Sequence, residues 1–453
     1  MFFLRFVDFA SIFGKMKKTE RAAMFRLGGI SMKEVVRVGY IGLGRRGMAM
    51  LKDCFAQMSD VQVVAVCDVA EKKNLAARDL LLEMGRPAPG LYTDYRDMLK
   101  NETLDAAVIM TGWNDRLEMA MDAMNSGLYT AIEVGCAYDI SQCYALIETY
   151  ERTKSPVMML ENGCYDRREM AAIAMARKGA FGRIVQCVGG YRHDLRREDL
   201  LKQNKDGTYD VDHYRMTEYV YRNCDQYPTH ELGPISKLLK LNRGNRMLSL
   251  RSITTGAVGL HEYARDHLPE DHPFYNTPVA QSDIVTTFIE CSNGEQIMLT
   301  LDTTLPRPFY CRDFSVRGTK GMCIESSGKV CTWFMDGQPK AFNNEAQWLE
   351  ENDHPLHREY RQQVRGGHDG IDWLTTRAFV ESVKRGIEPP IDAYDTALWL
   401  SIAPLSEMSI AQGGAAVPVP DFTNGKWFRR EPPVFSKYSL DEVCEDPDTP
   451  IVP

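Results

Sequence analysis

Apolar residues from Val35 onward fall in short runs, separated by segments in which an apolar residue recurs every three or four positions. The short runs predict buried strands, and the longer period predicts helices with one apolar face. Strand and helix alternate in units of about 30 residues, which predicts a parallel sheet with right-handed crossovers. The predicted strands are VVRVGYIGLG (35–44), VQVVAVCD (61–68), DAAVIMTG (105–112), YTAIEVG (129–135) and PVMMLENG (156–163).

The pattern changes near residue 160. Beyond it the predicted strands are longer and alternate between apolar and polar residues, and the segment SNGEQ (292–296) has the composition of a hairpin turn. This pattern predicts an open antiparallel sheet, followed by helices over 370–386 and 395–414. The predicted strands lie in IVQCVGGYRHDL (184–195), MLSLRSITTGAV (247–258), SDIVTTFIECSNGEQIMLTLDTTL (282–305) and RDFSVRGTKGMCIES (312–326).

We therefore predict two domains, an α/β domain over 32–160 and an α+β domain over 161–429 with a large, mostly antiparallel open sheet. The Pro-rich tail over 430–453 is predicted to be an extended arm. Residues 1–31 combine a short apolar stretch with basic residues, but Arg5 and Asp8 interrupt it. An upstream start artefact, an amphipathic arm and a degenerate export signal all stay open for this leader.

The overall charge and the cysteine pattern exclude several classes of protein. A net charge of -8 gives no field that would gather nucleic acid, and no run of about 18 apolar residues predicts a membrane span. The 12 cysteines have no repeated C-x-x-C spacing, so we predict neither a zinc ribbon nor a disulfide framework, and no metal site. Free thiols favour a cytoplasmic protein, with periplasmic export left open.

A glycine motif follows the first predicted strand. Gly42, Gly44 and Gly47 form G-x-G-x-x-G where the strand turns into a helix. In dinucleotide-binding domains the first glycine permits the tight turn, the second lets the backbone approach the pyrophosphate, and the third allows close packing of helix on strand. The motif predicts a Rossmann domain with a nucleotide on the helix N-terminus.

Asp68 ends the second predicted strand, 21 residues after Gly47. A carboxylate at this position hydrogen-bonds the adenosine ribose of NAD and repels the 2′-phosphate of NADP. Arg45 and Arg46 lie in the glycine turn, where arginines can neutralise a phosphate. We predict NAD, because Asp68 would have to lie desolvated beside the extra phosphate of NADP.

From about Met32 to Arg429 the sequence resembles the Gfo/Idh/MocA oxidoreductases, and among them the NAD-dependent glycosidases of glycoside hydrolase family 109. The motifs that carry this resemblance are longer than the glycine motif. They are VGYIGLGRRG, MMLENGCYDRREM, GGYRHDLR, YPTHELGPISKLLKLNRGNRM, TTLPRPFYCRDFSVRGTKG, GGHDGIDW and VPVPDFTNGKW.

The resemblance implies a redox route to glycoside cleavage. Bound NAD oxidises C3 of the sugar, the resulting ketone acidifies the proton on C2, elimination expels the leaving group, water adds, and hydride returns. A carbonyl beside C2 brings that proton within reach of an ordinary side-chain base. The alternative is a sugar or glycoside 3-dehydrogenase that releases NADH, and a silent sugar-binding protein is a third class.

The resemblance also implies a set of catalytic residues. His230 and Tyr227 are expected to handle the proton of the C3 hydroxyl, Tyr191 to act as the C2 base, and Glu161 and Tyr310 to position the sugar and the nicotinamide. When the family resemblance is set aside, a lone histidine is more often a packed or surface residue than a catalytic one, and tyrosines on a sheet are usually part of the packing. For His230, the helix start predicted at ELGP favours a side chain aimed into a cleft.

Thr111, Trp113 and Glu133 complete the expected cofactor site, at the ends of two strands of the first domain. His193 and His368 are further candidates for sugar contacts. Oxidoreductases of this superfamily typically carry Glu-Lys-Pro where this chain reads Glu133-Val134-Gly135. Without that lysine, His230 is expected to carry more of the proton transfer.

The sequence departs from the glycosidase pattern at Glu231, where a glycine is usual, and at Arg116, where a histidine is usual. A carboxylate beside His230 is expected to raise the pKa of the imidazole or to select the substrate, unless the side chain points away from the pocket. We further expect a carbohydrate substrate and a homo-oligomer formed through the C-terminal sheet.

Overall fold

A computed structural model describes residues 33–204, 207–208, 213–430 and 436–443. The predicted leader over 1–31 and most of the predicted tail lie outside the described residues. In the ranges that are described, no helix is both long and apolar enough to cross a membrane.

The first domain is built on a six-stranded parallel sheet in the order β3-β2-β1-β4-β5-β6. Its strands are β1 (Val36–Ile41), β2 (Val61–Cys67), β3 (Gly90–Tyr92), β4 (Ala106–Ile109), β5 (Tyr129–Ile132) and β6 (Val157–Met159). The connecting helices are α1 (Arg45–Asp53), α2 (Glu71–Glu83), α3 (Tyr95–Asn101), α4 (Trp113–Asn125) and α5 (Ile140–Thr153). This strand order is that of a dinucleotide-binding Rossmann fold, and it confirms the predicted parallel sheet.

The second domain contains an eight-stranded sheet in the order β13-β12-β11-β7-β10-β9-β8-β14. Its strands are β7 (Ile184–Arg192), β8 (Met247–Thr254), β9 (Ile284–Cys291), β10 (Gln296–Asp302), β11 (Ser315–Gly318), β12 (Gly321–Ser326), β13 (Val330–Met335) and β14 (Val417–Pro418). All neighbours pair antiparallel except β7 and β10, which are parallel. The expected mostly antiparallel sheet is confirmed, and β13 is a strand that the sequence pattern did not predict.

The helices after residue 161 pack partly on this second sheet and partly on the first domain. They are α6 (Arg167–Arg177), α7 (Tyr214–Tyr221), α8 (Thr229–Leu238), α9 (Gly259–His267), α10 (Glu345–Asn352), α11 (Pro355–Tyr360), α12 (Ile371–Arg385), α13 (Ala393–Leu400) and α14 (Ile402–Ala411). Short helical turns occur at Phe55–Gln57, Asn162–Tyr165, Arg196–Leu200, His368–Gly370 and Lys426–Arg429.

The late helices return to the first domain. The guanidinium of Arg377 on α12 is fully buried and donates to both carboxylate oxygens of Asp60, at 2.7 and 2.8 Å. Lys384 also donates to Asp60, at 2.6 Å. On α13, Thr396 accepts a hydrogen bond from the backbone N–H of Met159 at 3.3 Å. Residues near the C-terminal end of the chain therefore bind to the first domain through ion pairs and a hydrogen bond.

Candidate active site

The glycine turn lies at the carboxyl end of β1. Gly42 has a φ of +94°, which L-residues rarely adopt, and a Cβ on Gly47 would lie 2.1 Å from the Gly42 carbonyl oxygen. These two glycines are required by the turn and by the packing of α1 against it. A Cβ on Gly44 would meet nothing within 4 Å, so this glycine faces open space.

That open space lies at the N-terminus of α1. Helix α1 begins without a side-chain cap and has no acidic residue in its first turn. The N-terminal N–H groups of a helix and its dipole together favour an anion. The turn therefore fits the pyrophosphate of a dinucleotide, in the space that a side chain at position 44 would fill.

Asp68 lies beside this turn. Its Oδ2 accepts a hydrogen bond from the backbone N–H of Leu43 at 2.8 Å, and its Oδ1 accepts one from that of Ala70 at 3.0 Å. Lys73 approaches the same carboxylate at 3.4 Å. Asp68 is thus held against the glycine turn, as its expected role at the adenosine ribose requires.

Both arginines of the turn form ion pairs with carboxylates of the second domain. Arg45 donates to Asp199 at 2.7 Å. Arg46 forms a two-pronged pair with Asp372, 2.7 Å on each arm, and lies 3.3 Å from Glu133. The carboxylates raise the pKa of Arg46 against the opposing effect of burial. The side chains of Arg45 and Arg46 therefore link the first domain to the second.

Arg116 fastens the ends of two strands. Its guanidinium donates to the backbone carbonyls of Glu133 at 2.7 Å, Val134 at 2.6 Å and Thr111. The side chain is buried, and the ring of Trp113 packs beside it over Gly135. This departure from the family pattern thus holds the predicted cofactor residues Thr111 and Glu133 in place through their backbones.

The centre of the site is an imidazole in hydrogen-bond contact with a carboxylate. Nδ1 of His230 lies 2.8 Å from Oε1 of Glu161, which is fully buried. Burial opposes ionisation of this carboxylate, but the charge of His230 and its hydrogen bond outweigh that effect and lower the pKa of Glu161. Glu161 also accepts the backbone N–H of Gly163 at 2.9 Å.

Two local features bring Glu161 and His230 together. Pro234 lies inside α8 and has no N–H to donate to the carbonyl four residues earlier, that of His230. A Cβ on Gly163 would lie only 2.4 Å from this carbonyl oxygen. The turn that carries Glu161 therefore packs directly on the first turn of α8, which only a glycine at 163 permits.

Aromatic rings surround the imidazole. The ring of Tyr227 lies 4.9 Å from that of His230 and 4.5 Å from that of Tyr191, centroid to centroid. Tyr191 in turn lies 5.5 Å from His230 and 5.7 Å from Tyr310, which is 41% exposed. The structure thus brings all five predicted catalytic residues into one cluster. Trp113 lies 6.1 Å from Tyr227 and joins this cluster to the cofactor side.

Sequence reasoning missed one member of the cluster, Arg215 of α7. Its guanidinium lies 4.8 Å above the ring of Tyr227 and 5.9 Å from that of Tyr191. Burial raises the pKa of Tyr191, and the positive charge of Arg215 opposes the shift. The available signal was the pattern of α7, where Arg215 shares the buried face with Met216 and Tyr219.

Glu231 does not share the surroundings of its neighbour. Its carboxylate is fully buried and lies 3.1 Å from Nε of Arg312, which also pairs with Asp166 and Glu169 at 2.8 Å each. We call these four residues the Arg312 cluster. A Cβ on Gly189 of β7 would lie 2.4 Å from Cβ of Glu231, so this side chain packs under the sheet. Of the alternatives for Glu231, the structure favours a side chain pointing away from the pocket.

The two further candidate histidines, His193 and His368, lie in different parts of the molecule. The ring of His193 lies 5.4 Å from that of Tyr310, at the edge of the aromatic cluster. His368 lies instead by the cofactor turn, with Nδ1 2.8 Å from Asp372 and 3.5 Å from Arg46. Within the described ranges, no group of three or more His, Cys, Asp or Glu side chains is arranged to hold a metal ion.

The fold and the glycine turn define a class, and comparison with known proteins agrees with it. Residues 36–161 match the model of the oxidoreductase family with an NAD-binding Rossmann fold, and residues 165–429 match that of the glycosyl hydrolase 109 C-terminal domain. The chain is thus an oxidoreductase-type enzyme with an NAD-binding Rossmann domain. It belongs to glycosyl hydrolase family 109.

Curated relatives cover most of the chain. An α-N-acetylgalactosaminidase of Tannerella forsythia is 35% identical over 418 residues, which are 88% of each protein. A glycosyl hydrolase family 109 protein of Stenotrophomonas maltophilia is 36% identical over 418 residues, 88% of this chain and 91% of that protein. Both comparisons extend through the two domains.

Solved structures share the fold at low identity. An inositol dehydrogenase homologue of Azotobacter vinelandii, in complex with NAD+, superposes with a TM-score of 0.64 at 16% identity, over 85% of this chain and 98% of that one. A levoglucosan dehydrogenase, in complex with NADH and levoglucosan, gives a TM-score of 0.60 at 16% identity, over 85% and 100%. At this identity the likeness concerns the fold alone.

Proposed function

We propose that this protein is an NAD-dependent glycosidase that cleaves its substrate through transient oxidation at C3 of the sugar. The observation that carries the proposal is the Glu161–His230 pair, surrounded by tyrosines and joined through Trp113 to the cofactor side. Direct acid hydrolysis uses two carboxyl groups flanking the glycosidic bond. Here an imidazole and phenols surround the carboxylate of Glu161, a set suited to moving protons on sugar hydroxyls and carbons.

Each residue of the cluster has a part in this route. His230, oriented by Glu161, takes the proton of the C3 hydroxyl together with Tyr227. Tyr191 then removes the C2 proton that the C3 carbonyl has acidified, and the glycosidic oxygen leaves as the C1–C2 double bond forms. Water adds to C1 and a proton returns to C2, while Tyr310 borders the site where the sugar lies. Bound NAD would accept the hydride from C3 and give it back, so the cycle consumes no oxidant.

Deuterium incorporation tests the route. The full-length protein is incubated in deuterated water with aryl α- and β-glycosides, including N-acetylgalactosaminides. Deuterium at C2 of the released sugar is expected, because elimination exchanges that hydrogen. Release of unlabelled sugar would reject the elimination, and formation of one equivalent of NADH without cleavage would favour a sugar 3-dehydrogenase.

We propose NAD as the resident cofactor. Asp68 is held at the glycine turn, and both turn arginines are paired with Asp199 and Asp372, so neither is available to a 2′-phosphate. Denaturing the purified protein should release NAD, whereas release of NADP alone would overturn this assignment. Asp68→Ala removes a charge-assisted hydrogen bond and should weaken NAD binding by about 1.5–3 kcal/mol.

We propose that a second copy of the chain covers the open face of the eight-stranded sheet. Phe288, Met298 and Val188 lie side by side on adjacent strands, and the same row continues through Ser315 to Ile324. Four of these side chains, Phe288, Met298, Val188 and Ile324, are apolar and half-buried, and with the buried Ser315 they form a mostly apolar row across five strands. Met298→Glu should convert an oligomer to a monomer in analytical ultracentrifugation. A wild-type monomer would reject the proposal.

We propose the cytoplasm as the compartment. Eleven cysteines in the described ranges are free and buried. A reducing compartment keeps thiols in this state. Fractionation of cells that produce the full chain tests this, and recovery in the periplasm would contradict it.

A further inference from the structure

Asp199 joins the two halves of the active site. It lies in the helical turn Arg196–Leu200 of the second domain, and its side chain is 13% exposed. Oδ1 accepts a hydrogen bond from Arg45 of the glycine turn at 2.7 Å, and Oδ2 lies 3.3 Å from Nη1 of Arg215. One carboxylate therefore touches both the cofactor turn and the arginine that lies over the tyrosines.

The two ion pairs are unequal. The Arg45 side chain is 72% exposed, so its pair is screened by water and contributes little to stability. The Arg215 side chain is 9% exposed and has aromatic faces around it, where a charge without a counter-ion is costly. Asp199 is thus the acidic partner that the structure gives to a buried guanidinium. The charges of Arg215 and Arg45 hold the pKa of Asp199 below its usual value, against burial.

We propose that Asp199 is a positioning residue, which holds the guanidinium of Arg215 over Tyr227 and Tyr191 and ties it to the cofactor turn. The inference rests on the proposed function in that Tyr191 is taken as the base at C2. A positive charge fixed near a phenol favours the phenolate, so placement of Arg215 controls how readily Tyr191 accepts a proton. Asp199 acts only through Arg215.

The direction in which the pKa of Tyr191 changes distinguishes a positioning role of Asp199 from a direct electrostatic effect of its charge on Tyr191. The negative charge of Asp199 by itself raises the pKa of Tyr191, so its removal with Arg215 still in place would lower that pKa. If Arg215 leaves the rings when Asp199 is removed, the pKa of Tyr191 rises instead. The charged, titratable or aromatic groups around Tyr191 that also contribute are Asp199, Arg215, Tyr214, Tyr227, His230, His193 and Tyr310.

The test compares Asp199→Ala with Asp199→Glu and with a matched control, Asp194→Ala, in the full-length protein. Asp194 lies in the same segment but pairs with Arg196. For Asp199→Ala we expect turnover to fall by up to about 10²-fold, the scale for a group misplaced by about 1 Å. The acid limb of its pH profile should move up by about one unit, the usual effect of losing a nearby opposite charge. Asp199→Glu should restore most of the turnover, and Asp194→Ala should leave both quantities unchanged.

A crystal structure of the Asp199→Ala protein gives a readout that needs no activity. The guanidinium of Arg215 is expected to leave its position 4.8 Å above the Tyr227 ring. An unmoved Arg215, or an acid limb that shifts downward, would overturn the inference. Absence of turnover in the wild type would reject the proposed function alone, since the position of Arg215 could still be measured. If Asp199→Ala fails to fold, Asp199→Asn is measured in the same way and judged by the same outcomes.

Discussion

His230 and Glu231 are consecutive in the chain, yet their side chains enter two regions with opposite electrostatics. On the pocket side, the carboxylate of Glu161 faces one imidazole, and its pKa is lowered by that partner against the effect of burial. On the buried side, three carboxylates share Arg312, and burial raises the pKa of both Glu231 and Glu169 against its charge. The pKa of Glu161 and that of Glu231 therefore shift in opposite directions, because Glu161 has the imidazole to itself whereas Glu231 shares one guanidinium with two other carboxyl groups.

A residue that departs from the family pattern can thus leave the pocket unchanged. A glutamate in place of the usual glycine at 231 adds a carboxyl group that neighbours the proposed catalytic histidine in sequence only. Its neighbours in space are Arg312 and Glu169. We therefore expect Glu231 to affect stability and its pH dependence, and to leave the choice of sugar to the pocket residues.

The largest effect is expected on the buried side. Arg312→Met leaves the buried carboxyl groups of Glu169 and Glu231, and the partly exposed one of Asp166, without their shared cation, and should lower the free energy of unfolding by about 3–5 kcal/mol. Urea unfolding measures this change. Arg183→Met, at an exposed arginine before β7, is the matched control and should change stability by less than about 0.5 kcal/mol. Equal stability of the two variants would mean that Arg312 is not the counter-ion of the cluster.

On the pocket side the expected effect is on rate. His230→Ala should lower turnover by about 10²-fold or more, the scale for a positioned acid or base, while the fold and bound NAD remain. Glu161→Gln keeps the shape but removes the charge that orients the imidazole, and it should give a smaller loss. His267→Ala, at an exposed histidine of α9, is the control for a lost imidazole. Wild-type turnover in His230→Ala would remove this residue from the mechanism.

The smallest effect is expected for Glu231→Gln, which replaces the ionisable carboxyl group by a neutral amide of similar size. Because the folded-state pKa of Glu231 is raised, the contribution of Glu231 to stability is greatest below its unfolded pKa and falls as pH rises through the folded value. The variant should flatten this dependence and lose less stability than the wild type between pH 5 and pH 8. Thermal unfolding from pH 5 to pH 8 measures it.

The same variant sharpens the comparison through its activity. Its pH profile of turnover and its ranking of substrates should match those of the wild type, because Glu231 faces Arg312. A downward shift of the acid limb would instead place the carboxylate within reach of His230. A changed ranking of sugars would make it a specificity residue.

The local sequence was sufficient to predict the glycine turn and the position of Asp68 beside it. Gly42 and Gly47 are required by backbone conformation and by packing between near neighbours, and Asp68 ends an adjacent strand. Such requirements act over a few residues and leave a regular spacing. The alternation of strand and helix likewise predicted the parallel sheet of the first domain, but not its short edge strand β3.

Long-range charge pairing could not be predicted in this way. Asp199 lies 154 residues after Arg45, and Asp372 lies 326 residues after Arg46, so no spacing links either pair. Each arginine was expected at a phosphate because the turn alone suggests that role. The five residues of the pocket were found through the resemblance to a family, whereas Arg215 carries no motif of its own. Strand β13 was missed because the segment 327–341 has no clear boundary in its pattern.

The burial of Asp60 against Arg377 and Lys384 has a consequence for synthesis of the chain. These partners leave the ribosome more than 300 residues after Asp60. At translation rates of about 5–20 residues per second, the delay is on the order of tens of seconds. During that time the nascent Rossmann sheet presents an uncovered surface with an unpaired carboxylate, so chaperones can bind there until Arg377 and Lys384, in the last fifth of the chain, are made.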